Sequence, residues 1–366
     1  MTSNQVMLNC MQGDAGLMQA VQLTDWGHPA VLREVPRPRA GPGEVLLEVR
    51  AAGLCHSDLH LMHWPAGTLR YELPFTLGHE VAGTVAALGP GADGVEVGES
   101  VIVYGPWGCG RCTRCSVGEE HLCEAAGLRG RGAGLGRDGG LAEYMVVPSP
   151  RLTVPLGDLD PVAAAPLADA ALTPYHAIRR VLPRLRAGAG AVVIGVGGLG
   201  HVAVQILRAL TSCRIVAVDR REAALELAAR DGADVTLTAG GLTVSEARRA
   251  AGGRGAALVI DCVGAQDTLD LAAGVVAAGG DVAIVGIGGG TFPMRFGGVP
   301  FETSVVMSNW GTRSELADVV ALARDGAVHI DVERVGLADV PAAYARLEAG
   351  DVRGRLVAVP DTGDRG

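Results

Sequence analysis

Short runs in which apolar and polar residues alternate occupy the chain from residue 18 to about 150. "EVLLEVRA" (44–51) and "EVAGTVAAL" (80–88) are two of them, separated by Gly/Pro turns such as "RAGPGE". Successive side chains of a strand point to opposite faces, so this alternation predicts a mostly β segment. After "PLGDLDP" (155–161) an alanine-rich helical stretch leads into apolar strands alternating with amphipathic helices, and strands are expected at 191–196, 214–219, 257–262, 281–286 and 304–309. Strands that are apolar throughout need cover on both faces, which calls for a doubly wound parallel sheet of Rossmann type. The expected organisation is therefore α/β. A mostly β domain spans 18–165 and a Rossmann domain 166–305, while the tail 306–366, with the strand-like "GDVRGRLVAVP" (350–360), returns to the first domain. Residues 1–17 have no regular apolar period and are expected to form a disordered extension.

Composition narrows the chemistry. A length of 366 residues suits two domains. With 48% apolar residues, 19% charged residues and a net charge of -9, the chain reads as a mildly acidic globular protein with no nucleic-acid footprint. All 31 basic residues are arginine. Without lysine there is no Schiff-base chemistry, no P-loop, and no short-chain dehydrogenase pairing of tyrosine with lysine. The most apolar tract, 191–210, is broken by glycines, a histidine, a glutamine and an arginine, so it reads as a buried strand and helix rather than a membrane span. The N-terminus lacks the pattern of a secretion signal, and a cytoplasmic location is expected.

Three stretches carry chemistry. In "CGRCTRCSVGEEHLC", Cys109, Cys112, Cys115 and Cys123 have C-x2-C-x2-C-x7-C spacing, which suits a closed tetrahedral zinc shell. A disulfide is disfavoured in a reducing cytoplasm, and bacterial iron-sulfur spacing differs. Arg111 and Arg114, between the ligands, are expected to offset the thiolate charge. "GVGGLG" follows the strand "AVVIGV" and opens a helix, so Gly195, Gly197, Gly198, Leu199 and Gly200 are expected to approach a dinucleotide pyrophosphate. The next strand ends in Asp219, placed to accept ribose hydroxyls and repel a 2'-phosphate; Arg220 and Arg221 soften that discrimination, and NAD is the expected cofactor. "GLCHSDLH" (53–60) leaves Cys55 open as nucleophile, metal ligand or small buried side chain. His79 in "LGHE" reads alone as a hydrogen-bonded histidine, and Asp169 alone as a helix cap.

Taken in order, "GLCHSDLH", "GHE", the four-cysteine lobe and "GVGGLG" resemble the zinc-dependent medium-chain alcohol dehydrogenases. The resemblance runs over nearly the whole chain from Met18, with "PLADAALTPYHAI" similar to the segment bacterial NAD-dependent secondary-alcohol dehydrogenases carry at this point. It implies a GroES-like fold for the β domain and a catalytic zinc held by Cys55, His79 and Asp169, the last standing where cysteine is commoner. By the same resemblance Ser57 binds the substrate oxygen and His60 relays its proton, while Asp58 and Glu80 either support the ligands or are solvated charges. Thr173 would contact the nicotinamide, Gly286 and Ile287 its carboxamide, and His56 and Arg355 the pyrophosphate. Trp64, Tyr71, Trp107 and Trp310 are candidates for the substrate pocket or for core packing. Cys10, Cys213 and Cys262 read as inert. The implied activity is alcohol:NAD+ oxidoreduction by a homodimer or homotetramer using one catalytic and one structural zinc, with a small-molecule alcohol or ketone as substrate and neither nucleic acid nor membrane as partner. A polyol or amino-alcohol dehydrogenase and a non-catalytic dinucleotide-binding protein are the rival readings.

Overall fold

The computed structural model describes residues 16–125 and 132–361. Cys10 and residues 1–15 of the expected extension lie outside them. Leu17, counted with that extension, instead opens the strand Leu17–Leu23, paired antiparallel with Val31–Pro36.

A seven-stranded sheet organises the first domain. Its central strand, Val45–Gly53, is apolar at nearly every second position and pairs along its length with Glu80–Leu88. Tyr144–Val147 lies on the other edge of its first half, and Arg355–Val359 on its last residues. Val332–Gly336 pairs in parallel with Arg355–Val359, so the C-terminal segment completes this sheet. Gly53 permits a close approach here: a Cβ at this position would overlap the Glu80 carboxylate, which lies against the backbone just before Cys55.

The second sheet is parallel throughout, in the order Val235–Thr238, Arg214–Asp219, Gly190–Ile194, Ala256–Asp261, Val276–Ile284, Ser304–Met307. This is the doubly wound Rossmann order, whose ligand crevice lies at the carboxyl ends of the strands where the order reverses. Two expectations need correction. Val235–Thr238 is a sixth strand, hidden in the sequence because it is four residues long and only half-buried at the sheet edge. The strand expected at 281–286 begins earlier, at Val276, because the chain turns straight from the helix Gln266–Val275 into extended backbone with a register shift. The last strand reaches Met307, and the helix Arg313–Arg324 packs on Leu172–Val181, before the chain crosses back to the first sheet. Among the described residues no helix is long and apolar enough to cross a membrane.

Candidate metal centre and dinucleotide cleft

Cys55 follows the central strand and immediately precedes the helix His56–His63; His79 sits just before the strand Glu80–Leu88; Asp169 ends the 3-10 turn Ala165–Ala168. Three distant segments thus bring their side chains into one buried pocket. Asp169 Oδ2 lies 3.6 Å from His79 Nε2 and 3.8 Å from Cys55 Sγ. Tetrahedral zinc with bonds of about 2.0–2.3 Å separates its ligand atoms by roughly 3.3–3.8 Å, so the donor set fits that ion in both chemistry and spacing. Glu80 also lies within 4.8 Å of these groups. Asp169 is not the cap of the helix Leu172–Val181, which starts from Ala171; its Oδ1 accepts the Thr173 hydroxyl at 2.6 Å, and its other oxygen faces the pocket.

The electrostatics follow from crowding charge away from water. Burial alone would lower the His79 imidazole, but the Asp58 carboxylate, with Asp169 and Cys55, holds its pKa well above the ordinary value. Burial pushes Glu80 up to about 7 despite the opposing Arg355 guanidinium. Burial also works against ionised Asp169, yet His79, Thr173 and Arg355 hold it below its ordinary value. Asp58 Oδ1 sits 3.3 Å from His79 Nδ1, which leaves Nε2 turned toward Asp169.

Ser57 Oγ lies 3.6 Å from Cys55 Sγ, beside this donor set. One helical turn on, His60 stacks on Trp64, with ring centroids 6.1 Å apart. Of the other aromatic candidates, Trp310 meets His79 edge-on at 6.1 Å, from a left-handed backbone with φ 51°. Trp107 donates its Nε1–H to the Tyr104 carbonyl at 3.0 Å, and Tyr71 packs between Trp26 and Phe75.

The fingerprint loop faces the C-terminal segment across a cleft lined by His56, Gly197, Gly198, Arg221, Arg353 and Arg355. Gly195 turns at φ 83°, and a Cβ on Gly200 would overlap the Gly195 carbonyl, so the loop closes tightly onto the helix that begins at Gly200, with Leu199 as its N-cap residue. Asp219 accepts the Val196 N–H at 2.8 Å and the Arg221 N–H at 2.9 Å, tying the loop to the neighbouring strand; Arg220 is exposed. Gly286 lies against the Val263 backbone and Ile287 is exposed, both beyond the carboxyl end of Val276–Ile284. Arg355 was expected at a pyrophosphate. It lines the cleft, but its Nε donates to Glu80 at 3.0 Å and its Nη2 to the other carboxylate oxygen, a pairing that neither motif predicts.

The four cysteines of the lobe also converge, with sulfurs within 4.8 Å of one another and Cys112 Sγ 4.0 Å from Cys123 Sγ, so they fit a closed shell. Backbone N–H groups of Arg111 and Cys112 lower the Cys109 thiol to about 6. Arg114, expected to offset thiolate charge, instead pairs with Glu119 at 2.7 Å, because both sit on the exposed rim of the lobe. Between Cys115 and Cys123 the lobe presents His121, whose ring meets that of His176 at 4.9 Å while both its nitrogens are buried without hydrogen-bond partners among the described residues. Burial raises the Cys213 and Cys262 thiols, which keeps them protonated.

Comparison with known proteins agrees with this geometry. The family model for the alcohol dehydrogenase GroES-like domain matches residues 41–158, and that for zinc-binding dehydrogenases matches 198–325. The chain is 37% identical to an NAD-dependent alcohol dehydrogenase of Sulfurisphaera tokodaii, over 94% of this chain and 100% of that one. Among solved structures, the alcohol dehydrogenase of Aeropyrum pernix superposes with a TM-score of 0.85 at 35% identity, covering 93% of this chain and 100% of that one. Acetophenone reductase from Geotrichum candidum in complex with NAD superposes at 0.83 with 34% identity, covering 95% and 98%.

Burial, helped by the neighbouring His176, pushes His121 down to about 4 from an ordinary value of 6.5. Below pH 6.5 the unfolded chain therefore takes up this proton first, and the contribution of neutral His121 to stability, full above 6.5, is lost as pH falls toward 4. Because neither nitrogen has a hydrogen-bond partner among the described residues, His121→Phe keeps an aromatic ring there and removes the titration. Urea midpoints at pH 7.5 and 5, with zinc counted at each pH, should show a smaller acid loss for His121→Phe than for the wild type.

Proposed function

The chain belongs to the zinc-dependent medium-chain alcohol dehydrogenase family, and from that premise we propose that Cys55, His79 and Asp169 hold the zinc at which it oxidises an alcohol with NAD. The protein is an NAD-dependent alcohol oxidoreductase acting on small molecules. Secondary alcohols and their ketones, aryl ketones included, are the substrates we assign. One observation carries the reading: a sulfur, an imidazole nitrogen and a carboxylate oxygen from three distant segments meet at tetrahedral-ligand spacing.

When bound, the zinc lowers the pKa of the alcohol hydroxyl and the nicotinamide accepts the hydride. The chain's own residues hold the substrate and move the proton. Ser57, beside Cys55, accepts the hydroxyl proton as it gives up its own, and His60, three residues on and so on the same face of the helix, takes up the relayed proton and passes it outward. Imidazole suits that task because its ordinary pKa of about 6.5 allows uptake and release near neutrality. Asp169 donates less charge than a thiolate would, which leaves the ion a stronger Lewis acid and less tightly held. Thr173 orients Asp169 and, with Gly286 and Ile287, borders the nicotinamide. Trp310, edge-on to His79, walls the substrate side. His56 and Arg355 flank the pyrophosphate at the fingerprint glycines, and Asp219 takes the ribose. Cys109, Cys112, Cys115 and Cys123 would hold a second zinc with no open position, which would brace the lobe.

We further assign the protein to the cytoplasm, where reducing conditions keep its thiols free, and to a homodimer or homotetramer. The outer parallel strand Ser304–Met307 supports that assembly: its own Met307, and Phe296 and Phe301 just before it in sequence, are 83%, 91% and 71% exposed.

Wild-type protein should carry two zinc ions per chain, and Asp169→Ala one, with loss of alcohol-dependent NADH production. Metal counting and a panel of propan-2-ol, 1-phenylethanol, sorbitol and threonine test this. Uniform silence of zinc-loaded wild type overturns the activity, and preferential turnover of sorbitol or threonine moves the substrate class. Asp219→Asn should raise KM for NAD+ and narrow the preference over NADP+, measured by paired cofactor titrations.

A further inference from the structure

We propose that Tyr344 is a positioning residue for the catalytic zinc, acting through Asp58. The proposal rests on the reading of Cys55, His79 and Asp169 as that ion's ligands. Tyr344 belongs to the helix Val340–Ala349 in the C-terminal segment, 286 residues from Asp58, and no motif joins the two. It is 3% exposed and Asp58 is fully buried. Its hydroxyl donates to Asp58 Oδ2 at 2.8 Å, and the same oxygen accepts the backbone N–H of Cys55 at 3.0 Å. Asp58 Oδ1 faces His79 Nδ1 at 3.3 Å. One carboxylate therefore touches two ligands of the trio at once, through the main chain of Cys55 and the ring of His79.

A carboxylate without water is held in place by its donors. With the Tyr344 hydroxyl and the Cys55 amide both on Oδ2, the group cannot turn about its Cβ–Cγ bond without giving up two hydrogen bonds. Oδ1 stays on the Nδ1 side of His79, Nδ1 carries the proton, and the Nε2 lone pair points to the pocket where Asp169 Oδ2 lies 3.6 Å away. Tyr344→Phe removes a single oxygen. The ring stays, Asp58 Oδ2 loses one of its two donors, and the carboxylate is free to tilt. The helix Val340–Ala349 packs on His56–His63, so the phenol is delivered by tertiary docking alone.

The test follows zinc release from the holoenzyme under challenge with pyridine-2,6-dicarboxylate, metal being counted over time. Tyr344→Phe should lose one of its two zinc ions about 10–100-fold faster than wild type. The other, in the four-cysteine lobe, should leave at the wild-type rate, and cobalt exchanged into the faster site should show an altered visible spectrum. If Tyr344 works through Asp58, Tyr344→Phe should add nothing to the effect of Asp58→Asn in the double variant. Wild-type release from both sites, equal acceleration at both sites, or additive effects in the double variant would overturn the proposal. Retention of both zinc ions by Asp169→Ala would overturn the ligand reading itself, and this proposal with it.

Discussion

Arg355 and Glu80 form an ion pair with almost no access to water, and the two halves of the molecule meet across it. Glu80 starts a strand of the first sheet, packed against the bare backbone of Gly53. Arg355 starts the last strand of that sheet and reaches the fingerprint, where a Cβ on Gly198 would lie 2.6 Å from its Nη1. Removing either partner would leave an unpaired charge in a site that cannot solvate it, at a cost of about 3–5 kcal/mol. The pair therefore ties the fingerprint loop at Gly198 to the start of the strand that follows His79.

The same logic of buried charge organises the metal pocket. Two acidic groups, Asp58 and Glu80, flank the ligand trio, and each is held by a residue of the C-terminal segment, Tyr344 and Arg355 respectively. The segment that closes the chain thus also sets the electrostatics of the site. The four-cysteine lobe solves its charge problem differently. Its exposed Cys109 thiol draws on backbone N–H groups, and Arg114 pairs with Glu119 on the rim, while Arg151 reaches in to the buried Glu120.

Periodicity in the sequence located both sheets, since alternating and continuous apolar runs differ in how many faces they bury. It missed Val235–Thr238, where an edge strand has too few buried positions to stand out. Local spacing likewise exposed the four cysteines and the fingerprint glycines, because their partners lie within a few residues of one another. Asp169 is ambiguous in isolation: a carboxylate near the start of a helix resembles a cap, and only the tertiary structure brings it to His79 and Cys55.

What the sequence by itself determined are the features whose physics is short-ranged: strand and helix periods, the tight turn at Gly195, the thiolate cluster, and the absence of lysine chemistry. Tertiary structure alone decided which oxygen of Asp58 faces His79, that Arg355 grips Glu80, and that Tyr344 closes the network from 286 residues away. Hydrogen bonds and ion pairs act over a few ångströms of space. No local pattern records them when the partners belong to opposite ends of the chain.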